Sequence, residues 1–130
     1  MPNLIESNRR ILLVDDDEQF RKMLRKMLVR MGFEVVEARN GKEAIEIFQR
    51  DPVDLVMTDI VMPEKEGLET IGALKRKHPG VIIVAMSGGG RGSATDYLKL
   101  AMMMGADRTI PKPFSNENLE TLLAGLFGES

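Results

Sequence analysis

Three apolar runs in this chain, Ile11–Val14, Leu55–Thr58 and Val81–Met86, carry no polar alternation. A strand with one wet face alternates apolar and polar residues. Unbroken runs therefore read as strands buried on both faces, in a parallel sheet with helices on each side. Phe33–Ala38 and Arg108–Ile110 are shorter and more polar, as edge strands should be. The segments between have helical spacing. Phe20, Met23, Leu24, Met27, Leu28 and Met31 recur at helical intervals and Gly32 supplies the stop. Asn40 with Glu43 resembles a capping box ahead of Ala44, Ile45 and Phe48, and Ser93 with Asp96 does the same ahead of Leu98, Ala101 and Met102. Leu68, Ile71 and Leu74 mark a third helix, and Ser115 caps a fifth carrying Leu119, Leu122, Leu123 and Leu126 after Pro113 fixes a turn. Strand and helix thus alternate five times without a repeat or long linker, which predicts an α/β doubly wound sheet of five parallel strands in the order 2-1-3-4-5.

Composition narrows what such a sheet can do. With 130 residues, 43% of them apolar, the chain fits one domain with a single core. Its 18 basic and 20 acidic residues are interspersed, so no polycationic surface is available to follow a phosphate backbone, and direct nucleic-acid binding is disfavoured. No stretch approaches a membrane span and residues 1–9 lack the apolar core of a secretory signal, so a cytoplasmic, membrane-free protein is expected. Zero Cys excludes disulfides and thiolate chemistry, and a single His excludes the usual histidine metal clusters. Any metal must be held by oxygen.

Chemistry gathers where the runs end. Asp15 and Asp16 follow ILLV, Asp59 follows LVMT, Ser87 follows VIIVAM and Lys112 follows RTIP. Ligands of open α/β sheets bind outside the carboxyl ends of the strands, where strands 1 and 3 diverge in winding direction. Carboxylates brought together there repel and need a cation or protons. A small hard ion such as Mg2+, which takes one or two carboxylates and keeps positions for phosphate oxygens, suits acids without His. With it present, one carboxylate can attack phosphorus and become an aspartyl phosphate; Asp59, ending the central strand, is the candidate. Lys112 and Ser87 are placed to compensate charge on the phosphoryl oxygens. Each residue also has a plainer reading. Asp17 fits a helix cap better than a metal ligand. Asp15 and Asp16 alone serve equally as caps, Asp59 alone as a turn residue, Lys112 alone as a solvated charge, and Ser87 as the small residue ending its strand. Only the combination favours the phosphate chemistry.

The pieces ILLVDDDEQF, DLVMTDIVMPEKEGLE, VIIVAMSG and GADRTIPKPF resemble, in order and spacing, a CheY-like response-regulator receiver domain of two-component signalling. The resemblance implies a flavodoxin-like three-layer sandwich, with residues 10–127 as the receiver domain between an N-terminal extension (1–9) and a C-terminal tail (128–130). It implies phosphorylation of Asp59 by a sensor histidine kinase or a histidine phosphotransfer protein. It further implies Mg2+ held by Asp16 and Asp59, with Asp15 assisting through water and the Val61 backbone carbonyl contributing. Ser87 matches the hydroxyl that moves onto the phosphoryl group, and Lys112 the lysine that contacts it. The face of helix four, strand five and helix five would then act on a downstream effector protein or a fused output domain, with a phosphorylation-dependent homodimer as an option. Such a domain catalyses only its own phosphorylation and dephosphorylation.

Departures from the pattern carry their own expectations. Thr109 stands where receivers often place an aromatic residue, so coupling could run through the Gly88–Gly92 segment and helix four instead. That segment lacks the ending of a nucleotide P-loop and reads as a mobile connection. Val61 and Gly89 provide no polar side chain to position water, predicting slow phosphoryl loss, accelerated in Val61→Asn. Met102 is expected to join the buried stripe of helix four, and Tyr97, Leu100 and Met104 fall on a neighbouring stripe, which, if exposed, is an apolar strip of the kind that meets partners in receivers. His78 is expected to be solvated at the end of helix three. Two competing readings remain: an interaction module indifferent to Asp59→Asn, and a Mg2+-dependent phosphatase or phosphotransferase, for which the chain has little spare length.

Overall fold

Strands that are apolar on both faces can be satisfied only between two helical layers, and that is where the three central runs lie. The computed structural model describes residues 9–60, 66–88 and 94–128, apart from the side chains at 66, 88 and 94–98. In chain order the elements are β1 (Arg10–Val14), α1 (Glu18–Arg30), β2 (Glu34–Ala38), α2 (Gly41–Arg50), β3 (Leu55–Asp59), α3 (Glu66–Lys77), β4 (Ile82–Gly88), α4 (Ala94–Met104), β5 (Arg108–Lys112) and α5 (Asn116–Leu126). The strands form one sheet in the order β2-β1-β3-β4-β5, with every pairing parallel. This is the doubly wound sheet that the alternation of runs predicts, and the flavodoxin-like fold that the resemblance implies.

Successive strand residues face opposite layers. Ile11, Leu13, Leu55, Met57, Val84 and Met86 pack with Leu24 and Leu28 of α1 and Leu119 and Leu123 of α5. Leu12, Val14, Val56, Ile83 and Ala85 pack with Ala44 and Phe48 of α2, Ile71 and Leu74 of α3 and Ala101 of α4. Two half-cores on one sheet explain why the central runs show no alternation. Both β4 and β5 extend past their apolar stretches, because Ser87 opposite Pro111 and Gly88 opposite Lys112 continue the ladder. Pro111 is tolerated there because β5 is an edge strand.

The helix ends follow the expected chemistry with one change. Phe20 N–H donates to Asp17 Oδ1 at 3.1 Å, so Asp17 caps α1. Gly32 adopts φ +98° just after that helix, a conformation cheap only for glycine. Asn40 Oδ1 accepts from Glu43 N–H at 2.8 Å, but the Glu43 carboxylate accepts from the Arg39 N–H at 2.8 Å, so the box closes one residue early. Ser115 caps α5 in a full reciprocal box with Asn118, at 3.0 and 3.2 Å. The expected cap at Ser93 and the glycine segment after Gly88 lie outside the described residues.

Two expectations fail. Met102 is 48% exposed rather than buried, because α4 approaches the sheet over the small Ala101 and the next residue points about 100° away around the helix. His78 is half-buried, its ring centroid 4.4 Å from that of Phe48 with the planes tilted by 44°, so it packs on one side rather than standing free in solvent. Leu100 and Met104 are exposed, which meets the condition set for the neighbouring stripe at those two positions, while the Tyr97 side chain lies outside the described residues.

Candidate functional site

Parallel register brings the strand ends together at the carboxyl edge of the sheet. Val14 lies opposite Thr58 across β1 and β3, which sets Asp15 beside Asp59. Asp59 pairs with Met86 of β4, and Gly88 with Lys112 of β5. Pleat phase then decides direction. Asp15, Asp59 and Lys112 are in phase with Leu13, Met57 and Ile110, which face α1 and α5, whereas Ser87 is in phase with Ala85 on the other side.

Asp15, Asp16 and Asp59 each offer a carboxylate oxygen within 4.8 Å of the others. Asp15 and Asp59 are buried and Asp16 is exposed, so the group is an acidic cup with one wet lip. Lys112 Nζ donates to Asp15 Oδ2 at 2.7 Å and lies 3.8 Å from Asp59 Oδ1. One ammonium thus offsets part of the repulsion between two buried carboxylates. The same Nζ sits 4.1 Å above the Phe20 ring, and Phe114 meets that ring edge-on at 6.0 Å. An aromatic face holds a cation without consuming its hydrogen bonds to oxygen. The Lys112–Pro113 peptide is cis.

Backbone supports fix the acids. Asp15 N–H donates to the Ala38 carbonyl at 3.2 Å, and Asp15 Oδ1 accepts from Asp17 N–H at 2.9 Å. Thr58 Oγ1 donates to the Asp59 carbonyl at 3.0 Å. Across that carbonyl lies Gly67, where a Cβ would come within 2.4 Å of Asp59 O and 2.5 Å of Ile60 Cα. Only glycine lets α3 begin this close to the end of β3.

Ser87 is fully buried at 0% exposure, and its Oγ has no hydrogen-bond partner among the described residues. An unpaired buried hydroxyl costs about 1–3 kcal/mol. The strand next to the acids therefore ends in a buried polar atom whose need no described residue meets.

Beneath the site a chain of ions reaches the surface. The buried Arg21 donates through Nη1 to the Asp15 carbonyl at 2.6 Å and through Nε to Glu37 Oε1 at 2.7 Å. Glu37 Oε2 in turn accepts from Arg25 at 2.8 Å. Burial pushes the Glu37 carboxyl up, but hydrogen bonds from Arg25 and Arg21 and the charge of both guanidiniums outweigh it and hold it below its ordinary value.

Fold and site together define an α/β protein with a lysine-bridged acidic pocket at the switch point of its sheet. The model of the response regulator receiver domain matches residues 11–124, and the chain belongs to that family, whose members act as phosphoacceptor switches. It is 35% identical over 121 residues to the transcriptional regulatory protein CpxR of Escherichia coli K12, covering 93% of this chain and 50% of that protein. It thus spans about half the length of that regulator. It is 38% identical over 112 residues to the chemotaxis protein CheY of Halobacterium salinarum, covering 85% of this chain and 90% of that one. Among solved structures it resembles the response regulator TrrA of Thermotoga maritima in complex with Mg2+-BeF, with a TM-score of 0.79, 32% identity, and coverage of 91% of this chain and 98% of that chain. No helix among the described residues is long and apolar enough to cross a membrane.

Of the residues singled out from sequence, Asp15, Asp16, Asp59 and Lys112 converge. Ser87 lies one strand away with its hydroxyl unpartnered among the described residues, and Val61 lies outside them. Sequence reasoning missed Phe20, read only as core, and Arg21, not read at all. The signal for Arg21 was its position: it precedes Leu24 and Leu28 by three and seven residues, on the edge of the buried stripe of α1.

Proposed function

We propose that this chain accepts a phosphoryl group on Asp59 from a phosphohistidine donor, a sensor histidine kinase or a histidine phosphotransfer protein, with Mg2+ as its ion. The observation that carries the reading is the convergence of three carboxylates and one ammonium, with a buried hydroxyl on the next strand that has no partner among the described residues. The oxygen-only donor set fits a hard divalent ion. Asp15, Asp16 and Asp59 would hold it, together with the Val61 carbonyl, and it would supply charge compensation for the acids and the incoming phosphoryl oxygens.

Asp59 needs no general base, since its carboxylate is already a nucleophile. Its oxygen forms the new bond to phosphorus as the bond to the donor imidazole nitrogen breaks, and the imidazole leaves with that electron pair. Lys112, 3.8 Å from Asp59, turns from Asp15 toward the phosphoryl oxygens. The Phe20 ring, 4.1 Å from Nζ, attracts the ammonium without taking a hydrogen bond from it, so the ammonium is free to change oxygen partner. Ser87 donates its hydroxyl to a phosphoryl oxygen, which gives this buried atom a partner that the described residues do not supply. Thr109, half-buried on β5, supplies no aromatic relay, and the signal passes through the β4–α4 connection to α4. There Leu100, Met102, Met103 and Met104 already form an exposed apolar run, suited to a second copy, an effector or an output domain.

The test is incubation with a small acyl-phosphate or phosphoramidate donor, followed by intact mass. A gain of one phosphoryl group that requires Mg2+ supports the proposal. No gain, or a gain indifferent to chelation, contradicts it.

A further inference from the structure

We infer that Arg21 is a positioning residue for the acidic pocket, setting its affinity for a divalent cation through the backbone of Asp15. The inference rests on the proposed metal role of Asp15. Arg21 is a buried cation on α1, only 7% exposed, which is costly unless its charge and its N–H groups are matched. The match is divided between two sites. Nε meets the Glu37 carboxylate at 2.7 Å, while Nη1 donates to the carbonyl of Asp15 at 2.6 Å.

The Asp15 peptide is thereby held from three sides. Its N–H is tied to Ala38 O at 3.2 Å, its carbonyl to Arg21, and its side chain to Asp17 N–H at 2.9 Å and Lys112 at 2.7 Å. When Lys112 turns to a phosphoryl group, the backbone ties to Ala38 and Arg21 and the bond from Asp17 N–H remain to keep the carboxylate aimed into the cup. Glu37 is the anchor. It is fixed to Arg25 as well as to Arg21, so the fork of Arg21 is oriented before any ligand arrives. A guanidinium can serve both partners because its donors lie in one rigid plane; an ammonium at the end of a flexible stem cannot reach both in the same geometry.

Groups that orient a metal ligand typically alter affinity by about 10–100-fold when removed. Arg21→Met is therefore expected to weaken Mg2+ binding by about tenfold, measured by isothermal titration calorimetry on protein shown to be folded by circular dichroism. Arg21→Lys keeps the charge and should still weaken binding several-fold, and it decides the matter if the methionine variant does not fold. Arg25→Met breaks only the outer ion pair and leaves both contacts of Arg21 in place, so it should weaken Mg2+ binding less than either Arg21 variant does. Parental affinity in the folded Arg21 variants, or an equal loss in Arg25→Met, overturns the inference while leaving the pocket intact. Absence of Mg2+ binding in the parent chain overturns the metal reading itself.

Discussion

At the scale of single residues, the site is built from groups whose needs are met only in part. Ser87 Oγ is buried without a partner among the described residues, so Ser87→Ala should leave the unphosphorylated fold as stable as the parent or up to about 1 kcal/mol more stable, measured by urea denaturation. A loss of 2 kcal/mol or more would show that the hydroxyl is already well bonded. Gly67 is the opposite case. A Cβ there meets the backbone of Asp59 and Ile60 at 2.4 and 2.5 Å, and backbone cannot swing aside as a flexible side chain can. Gly67→Ala should cost about 1–3 kcal/mol in the same measurement and slow phosphoryl acceptance. The acids and the lysine were legible in the sequence because chemistry at the ends of buried strands points to one edge of a parallel sheet. Phe20 and Arg21 were not, because cation–π and bifurcated guanidinium contacts depend on distances that no spacing rule supplies. Lys112 and Asp15 are 97 residues apart.

At the scale of elements, α1 is joined to β2 by ions as well as by packing. Glu37 bridges Arg21 and Arg25, and its carboxyl is held below its ordinary value. A depressed acid contributes stability that is fully present above its unfolded pKa and is lost as pH falls through the folded one. Glu37→Gln should therefore destabilise the fold by about 1–3 kcal/mol at neutral pH, with the gap to the parent closing below about pH 4. A gap that persists unchanged into acid would show that shape, not charge, accounts for it. The elements themselves were largely legible: the central runs, the caps at Asp17 and Ser115 and the glycine stop at Gly32 each follow from local chemistry. The exceptions sit where tertiary packing decides. Met102 turns outward because Ala101 takes the sheet contact, and a Cβ at Gly72 of α3 would come within 2.8 Å of Met104 Cε, so α3 and α4 settle their distance by small residues that periodicity does not weigh.

At the scale of the whole molecule, one edge of the sheet gathers charge and one helix presents apolar side chains. Met103 of α4 is 81% exposed, beside Leu100, Met102 and Met104. If that run receives a partner in the phosphorylated state, Leu100→Ala with Met103→Ala should weaken the association by about 1–2 kcal/mol in sedimentation or calorimetry, without changing phosphoryl acceptance. Association unaffected by the pair would place the partner elsewhere. The strand order was readable because right-handed crossovers and buried central runs leave few alternatives. The linkage proposed from pocket to α4 rests instead on how one hydroxyl finds its partner, which no pattern of residue types specifies. The most direct measurement is the location of the phosphoryl group. After reaction with a small phosphodonor and Mg2+, borohydride reduction and peptide mapping should place one hydroxylamine-labile acyl phosphate on Asp59, absent in Asp59→Asn. Label on another residue of the parent chain, or undiminished label in the Asp59→Asn variant, would contradict the account.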